Sequence, residues 1–190
     1  TQLDLSYVAP NFMFAIDRSC SMTTIIDGTT TKWEAAIAAV QHVLANYGSD
    51  IRWGATLFPD TTGSACTQDA IPFPIGSDTA QLISDALGSA LGSDNPLYPD
   101  NPCVTNIDTG IEQAATDPAL ADTTRDRFIM LITDGGQSGC SVGGGNTGTE
   151  AAITALLGSG VKTFVVGFGS AVNQNALNKF AADRGEAGSG

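Results

Sequence analysis

Histidine and positive charge are scarce in this sequence: one His, His42, and 8 Lys plus Arg stand against 20 Asp plus Glu, for a formal net charge of −12 over 190 residues. A serine hydrolase needs an imidazole base. His42 falls amid Val40, Gln41 and Val43 on a predicted helix, where it reads as a surface or flank residue. A nucleic-acid partner is excluded by the same balance, because an acidic surface repels a phosphate backbone. No apolar run approaches the roughly 20 residues that cross a bilayer, so there is no transmembrane segment in this chain. No signal peptide stands at Thr1, which leaves either a cytosolic chain or a mature form. No CxxC pair exists, so zinc is a poor reading of the four cysteines, Cys20, Cys66, Cys103 and Cys140. They lie in loop-like surroundings rather than in apolar runs. Two disulfides in an exported protein suit them better than four buried thiols. The turn after the first apolar run lacks the GxGxxG of a dinucleotide site.

What is present is an alternation of buried strands and amphipathic helices. At 42% hydrophobic content the chain can bury one good core, and it reads as one domain spanning residues 1–190. Residues 12–16 (FMFAI), 53–58 (WGATLF), 128–132 (FIMLI) and 163–168 (TFVVGF) are continuous apolar runs, the pattern of strands covered on both faces. Residues 71–75 (IPFPI) carry two prolines and predict an edge strand. Thr31 and Glu34 form a capping box ahead of Trp33, Ala36, Ile37, Val40, Leu44 and Tyr47 at helical spacing, with Gly48 as the stop. Asp78 opens a helix through Leu82, Ile83, Ala86, Leu87 and Leu91. Ile107 to Ala115 marks another. Thr147 and Glu150 repeat the capping pattern before Ala151–Leu157, and residues 175–183 predict a last helix. The fold class is therefore α/β, a doubly wound, mostly parallel sheet with helices on both faces.

In such a sheet, ligands bind beyond the carboxyl ends of the strands. FMFAI runs into Asp17, followed at alternate positions by Ser19 and Ser21; FIMLI runs through Thr133 into Asp134; Thr105 precedes a middle helix. Brought together, these loops offer two carboxylates and three hydroxyls with neither imidazole nor thiolate. An all-oxygen set suits Mg²⁺ better than Zn²⁺ or copper. A cation between Asp17 and Asp134 also explains how both stay ionised at buried strand ends.

DRSCSM at 17–22, CVTNI at 103–107 and LITDGG at 131–136, in that order and on those elements, resemble the metal-ion-dependent adhesion site of von Willebrand factor type A domains, the integrin I-domain fold. The resemblance covers nearly the whole chain. It implies that Ser19 and Ser21 coordinate the ion directly, and that Asp17, Thr105 and Asp134 join directly or through water. It implies Mg²⁺ or Mn²⁺, with Ca²⁺ as a further candidate. It also implies a non-enzymatic, extracytoplasmic, monomeric binding domain whose protein partner presents an Asp or Glu carboxylate to the ion. The resemblance makes the first and middle site loops neighbours, which pairs Cys20 with Cys103 and leaves Cys66 for Cys140. Cys20 stands where the family often has a small residue. The loop from Thr23 to Thr30 is longer than in the shortest members. The chain stops soon after Arg184–Gly185, where the family continues into one more edge strand and a helix, so an exposed sheet edge is expected.

Two other classes compete. A Mg²⁺-dependent phosphoesterase would need an electrophilic Lys or Arg near the ion, and Arg18 is the obvious one. A subunit coupling such a domain to an ATP-driven assembly would work inside the cell, which fits four loop cysteines poorly.

Overall fold

All seven residues of strand β1, Asn11–Asp17, are buried. A strand that apolar is stable only inside a sheet covered on both sides. In the computed structural model, which describes residues 7–60, 66–135, 137–138, 140 and 145–168, β1 leads into a single 3-10 turn, Cys20–Thr23. A small hairpin of β2 (Ile25–Asp27) and β3 (Thr30–Thr31) follows, then helix α1 (Lys32–Tyr47), β4 (Arg52–Phe58) and β5 (Phe73–Gly76). Helices α2 (Thr79–Ser89) and α3 (Ile107–Ala114) precede β6 (Arg127–Thr133), α4 (Gly145–Gly158) and β7 (Val161–Gly167).

The main sheet runs β5–β4–β1–β6–β7, with β1 in the middle. β4, β1, β6 and β7 are parallel, and β5 joins β4 antiparallel. Pro74 in β5 has no N–H to give, and β5 is an edge strand as the two prolines require. Alternate residues of β1 serve opposite faces. Phe12, Phe14 and Ile16 pack with Trp33, Ile37 and Val40 of α1 and Ile83 and Leu87 of α2. Met13 and Ala15 pack with Ile107 and Ile111 of α3 and Ile153 and Leu156 of α4. Each large side chain so buried contributes about 1.5–3 kcal/mol. Gly110 lets α3 lie close on β4, since a Cβ there would stand 2.6 Å from the Phe58 ring.

Helix α1 starts on the expected reciprocal cap: Glu34 N–H donates to Thr31 Oγ1 at 3.1 Å and Thr31 N–H donates to Glu34 Oε2 at 2.7 Å. The second capping pattern is overridden. α4 begins at Gly145, so Thr147 lies within its first turn rather than before it. The buried stripe of α4 is Thr149, Ile153 and Leu156. α2 ends at Ser89 with Ile83 and Leu87 inward, which turns Leu82 and Leu91 out to solvent. β7 buries Val161 and Thr163 only, and it is an edge strand among the described residues. The helix expected over residues 175–183 lies outside the described residues.

Candidate metal centre

Ile16 of β1 pairs with Ile132 of β6, so Asp17 and Thr133 emerge side by side at the carboxyl edge of the sheet. The Thr133 hydroxyl donates to Asp17 Oδ2 at 2.7 Å, and the Ser19 N–H donates to Asp17 Oδ1 at 2.8 Å. Asp17 is fully buried. Burial pushes its carboxyl up to about 6; the hydrogen bonds from Thr133 and Ser19 oppose the rise, and the negative charge of Asp134 adds to it.

That rise has a sign for the metal-free protein. Below about pH 4 Asp17 is protonated folded or unfolded, and nothing is lost. As pH climbs through the folded value of about 6, the native state is left with a buried carboxylate that the unfolded chain hydrates freely. The cost reaches about 3 kcal/mol above that value. In EDTA, therefore, Asp17→Asn should equal the parent in stability near pH 4 and exceed it by about 3 kcal/mol at pH 7.5. Urea denaturation at the two pH values measures this, and a gap independent of pH would contradict it.

Ser19 is buried, Ser21 is exposed, and their hydroxyl oxygens lie 3.0 Å apart. Asp134 follows Thr133 and is itself buried. Gly135, at φ +93°, makes the left-handed turn that carries the chain away from it. Thr105 is tied to this same loop: its N–H donates to Ser138 Oγ at 3.2 Å and its carbonyl accepts from Ser138 N–H at 2.7 Å. Gln137 Oε1 accepts from Ile107 N–H at 2.7 Å, anchoring the start of α3 to it as well. The structure thus gathers Asp17, Ser19, Ser21 and Asp134 at adjoining strand ends and links Thr105 to the Asp134 loop.

Two disulfides cross-tie this rim. Cys20–Cys103 joins the Ser19–Ser21 loop to the segment before Thr105, with Cα atoms 4.8 Å apart. Cys66–Cys140 joins the β4–β5 connection to the loop after Asp134, with Cα atoms 5.3 Å apart. Arg18 reinforces them from beneath. Fully buried, it donates to the carbonyls of Pro59 (3.2 Å), Tyr98 (3.0 Å) and Asn101 (2.7 Å). A guanidinium committed to three backbone carbonyls holds loops together. That role differs from the electrophile considered for a phosphoesterase.

Two residues of the site escaped sequence reasoning. Thr133 orients Asp17. Lys32, the first residue of α1, reaches Asp134 Oδ2 with Nζ at 2.7 Å, both side chains buried. A lysine in a first helical turn, against the helix dipole, was the available signal.

The donors fit a hard divalent cation: two carboxylates, three hydroxyls and space for water at Ser21, the exposed member. Among the described residues no three His, Cys, Asp or Glu side chains cluster to hold a metal. Any ion accepted here draws most of its ligands from hydroxyls and water, and keeps an appetite for anionic oxygen.

Residues 11–188 match the family model of the von Willebrand factor type A domain. No curated protein matches the sequence. Among solved structures, proximal thread matrix protein 1 from the mussel byssus superposes with a TM-score of 0.64 at 18% identity, covering 92% of this chain and 41% of that one. Manganese-loaded TRAP protein of Plasmodium vivax gives a TM-score of 0.64 at 14% identity, over 92% of this chain and 63% of that one. The pilus adhesin SpaC of Lactobacillus rhamnosus GG gives 0.60 at 14% identity, over 85% of this chain and 25% of that one. The chain spans less than two thirds of the length of each of these proteins. Identities this low speak for the fold alone. With the family match running from β1 to within a few residues of Gly190, on a parallel sheet whose rim gathers the DxSxS, Thr and Asp positions, the chain belongs to the von Willebrand factor type A domain family.

Proposed function

We propose that this domain is a non-enzymatic, extracytoplasmic binding module that holds Mg²⁺ or Mn²⁺ with Asp17, Ser19, Ser21, Thr105 and Asp134, and through the ion takes up a carboxylate from a protein partner. The observation that carries this reading is the fully buried Asp17 carboxylate, pushed up to about 6 beside a second buried carboxylate at the adjoining strand end. Lys32 pairs with Asp134, whereas Asp17 has the Thr133 hydroxyl and the Ser19 N–H as partners, and a buried carboxylate so placed calls for a cation. When bound, the ion would supply a Lewis-acidic centre for anionic oxygen. The chain's part is to orient Asp17 through Thr133 and Ser19, to present the Ser19 and Ser21 hydroxyls from one loop, and to hold Thr105 at the rim through Ser138.

Support comes from relatives of the same fold, one described as manganese-loaded and one as a pilus adhesin. Two disulfides favour an oxidising compartment. The buried Arg18, whose two terminal nitrogens are committed to three backbone carbonyls, weighs against the phosphoesterase alternative.

Acetate and acetamide are the probes that test the reading. With Mn²⁺ present, the acetate methyl resonance should broaden saturably on adding protein, acetamide should not, and EDTA should abolish the effect. Equal broadening of the two, or acetate binding that survives EDTA, would leave the ion no part in recognition. For an acidic macromolecular partner the net charge of −12 adds a kinetic mark: association should quicken as monovalent salt screens the repulsion.

A further inference from the structure

The ion pair between Lys32 and Asp134 has no part in the reading above, and nothing in helix α1 requires it. The N-terminus is already capped by the Thr31–Glu34 box, and a cation at that end opposes the helix dipole. Yet the ammonium is buried and lies 2.7 Å from Asp134 Oδ2. Its base is held in place as well, because the Lys32 N–H donates to the Thr24 carbonyl at 3.0 Å, closing the neck of the β2–β3 hairpin onto the loop of Ser19 and Ser21. The side chain therefore bridges the first site loop and the end of β6.

We propose that Lys32 is a positioning residue of the metal centre: by holding one oxygen of Asp134, its ammonium weakens the domain's own grip on the ion and strengthens the ion's demand for a carboxylate from outside. This rests on the metal reading given above. Asp17 and Asp134 carry two negative charges when ionised, and Lys32 cancels one of them in a site sheltered from water, where charges act strongly on each other. Removing the ammonium leaves both carboxylates to the cation, which binds more tightly and is more fully neutralised. An incoming carboxylate then meets a weaker centre and loses an attractive charge beside it. The two affinities move in opposite directions. An ion pair that served only the fold would change stability and neither affinity.

The test uses the whole chain with Mn²⁺ and acetate as probes. By calorimetry, Lys32→Met should bind Mn²⁺ about tenfold more tightly than the parent, and acetate broadening should report several-fold weaker acetate binding, whereas Lys32→Arg stays near the parent in both. The metal-free Lys32→Met protein should melt lower than the parent, and Mn²⁺ should raise its Tm by more. Lys32→Gln keeps a hydrogen-bond donor for Asp134 without the charge. It should shift both affinities in the same directions, and it carries the test if Lys32→Met does not fold. In an Asp134→Asn background, where the ammonium has no carboxylate oxygen to withhold, the Lys32 substitutions should change the affinities by a different amount than in the parent, the difference measuring the coupling of the two residues. Mn²⁺ affinity in Lys32→Gln and Lys32→Met equal to or weaker than the parent's, with Mn²⁺ binding intact in the parent, overturns this proposal alone. Absence of Mn²⁺ binding in the parent overturns the metal reading and this proposal with it.

Discussion

Replacing Cys20 and Cys103 together by alanine is expected to lower the stability of the domain by about 4 kcal/mol, read from guanidinium denaturation. The bridge closes a loop with a sequence separation of 83, and such a constraint removes much of the freedom of the unfolded chain. Cys66–Cys140, with a separation of 74, should be worth a similar amount. The two loops overlap, since Cys66 lies between Cys20 and Cys103, so the loss on breaking both should fall short of the sum. A loss below about 1 kcal/mol for the Cys20–Cys103 pair would mean that the unfolded chain keeps residual structure that already limits its freedom without the bridge. Thiol titration offers a simpler check: the oxidised protein, native or denatured, should yield no reactive thiol.

The second large effect is on metal binding. Asp17→Ala should abolish Mg²⁺ and Mn²⁺ binding while unfolding remains cooperative. Asp17 is the most enclosed of the five candidate ligands, and the Ser19 N–H and the Thr133 hydroxyl both point to it. Its removal takes away a charge that no neighbour can replace, because Asp134 is shared with Lys32. The fold should tolerate the change, for the metal-free protein bears the cost of a buried carboxylate there at neutral pH. Fluorescence-detected urea unfolding beside a Mn²⁺ titration separates the two outcomes. A variant that binds Mn²⁺ like the parent would put the ion elsewhere.

Much of this was legible wherever the deciding physics is local. The run FMFAI could only be a strand covered on both faces, and it is the middle strand. The Thr31–Glu34 box starts α1 because its partners lie three residues apart. Legibility fails where contacts between distant residues decide. Lys32 and Asp134 are separated by 102 positions, and no pattern along the chain joins them. Arg18 looks available in sequence; the carbonyls that claim it lie 41 to 83 residues away. The second Thr–Glu pattern has the same spacing as the first, yet α4 begins ahead of it, at Gly145. The carboxylates and hydroxyls of the rim stand between these cases. Each sits at a recognisable strand or helix end, and only the β1–β6 register sets Asp17 beside Thr133.

The central claim is that one divalent ion is held by Asp17, Ser19, Ser21, Thr105 and Asp134. Calorimetric titration of Mn²⁺ into the parent and into a Ser19→Ala, Asp134→Ala double variant tests it most directly. One ion per chain in the parent and no measurable binding in the variant is the predicted result. Equal binding in both proteins, or none in the parent, would contradict it.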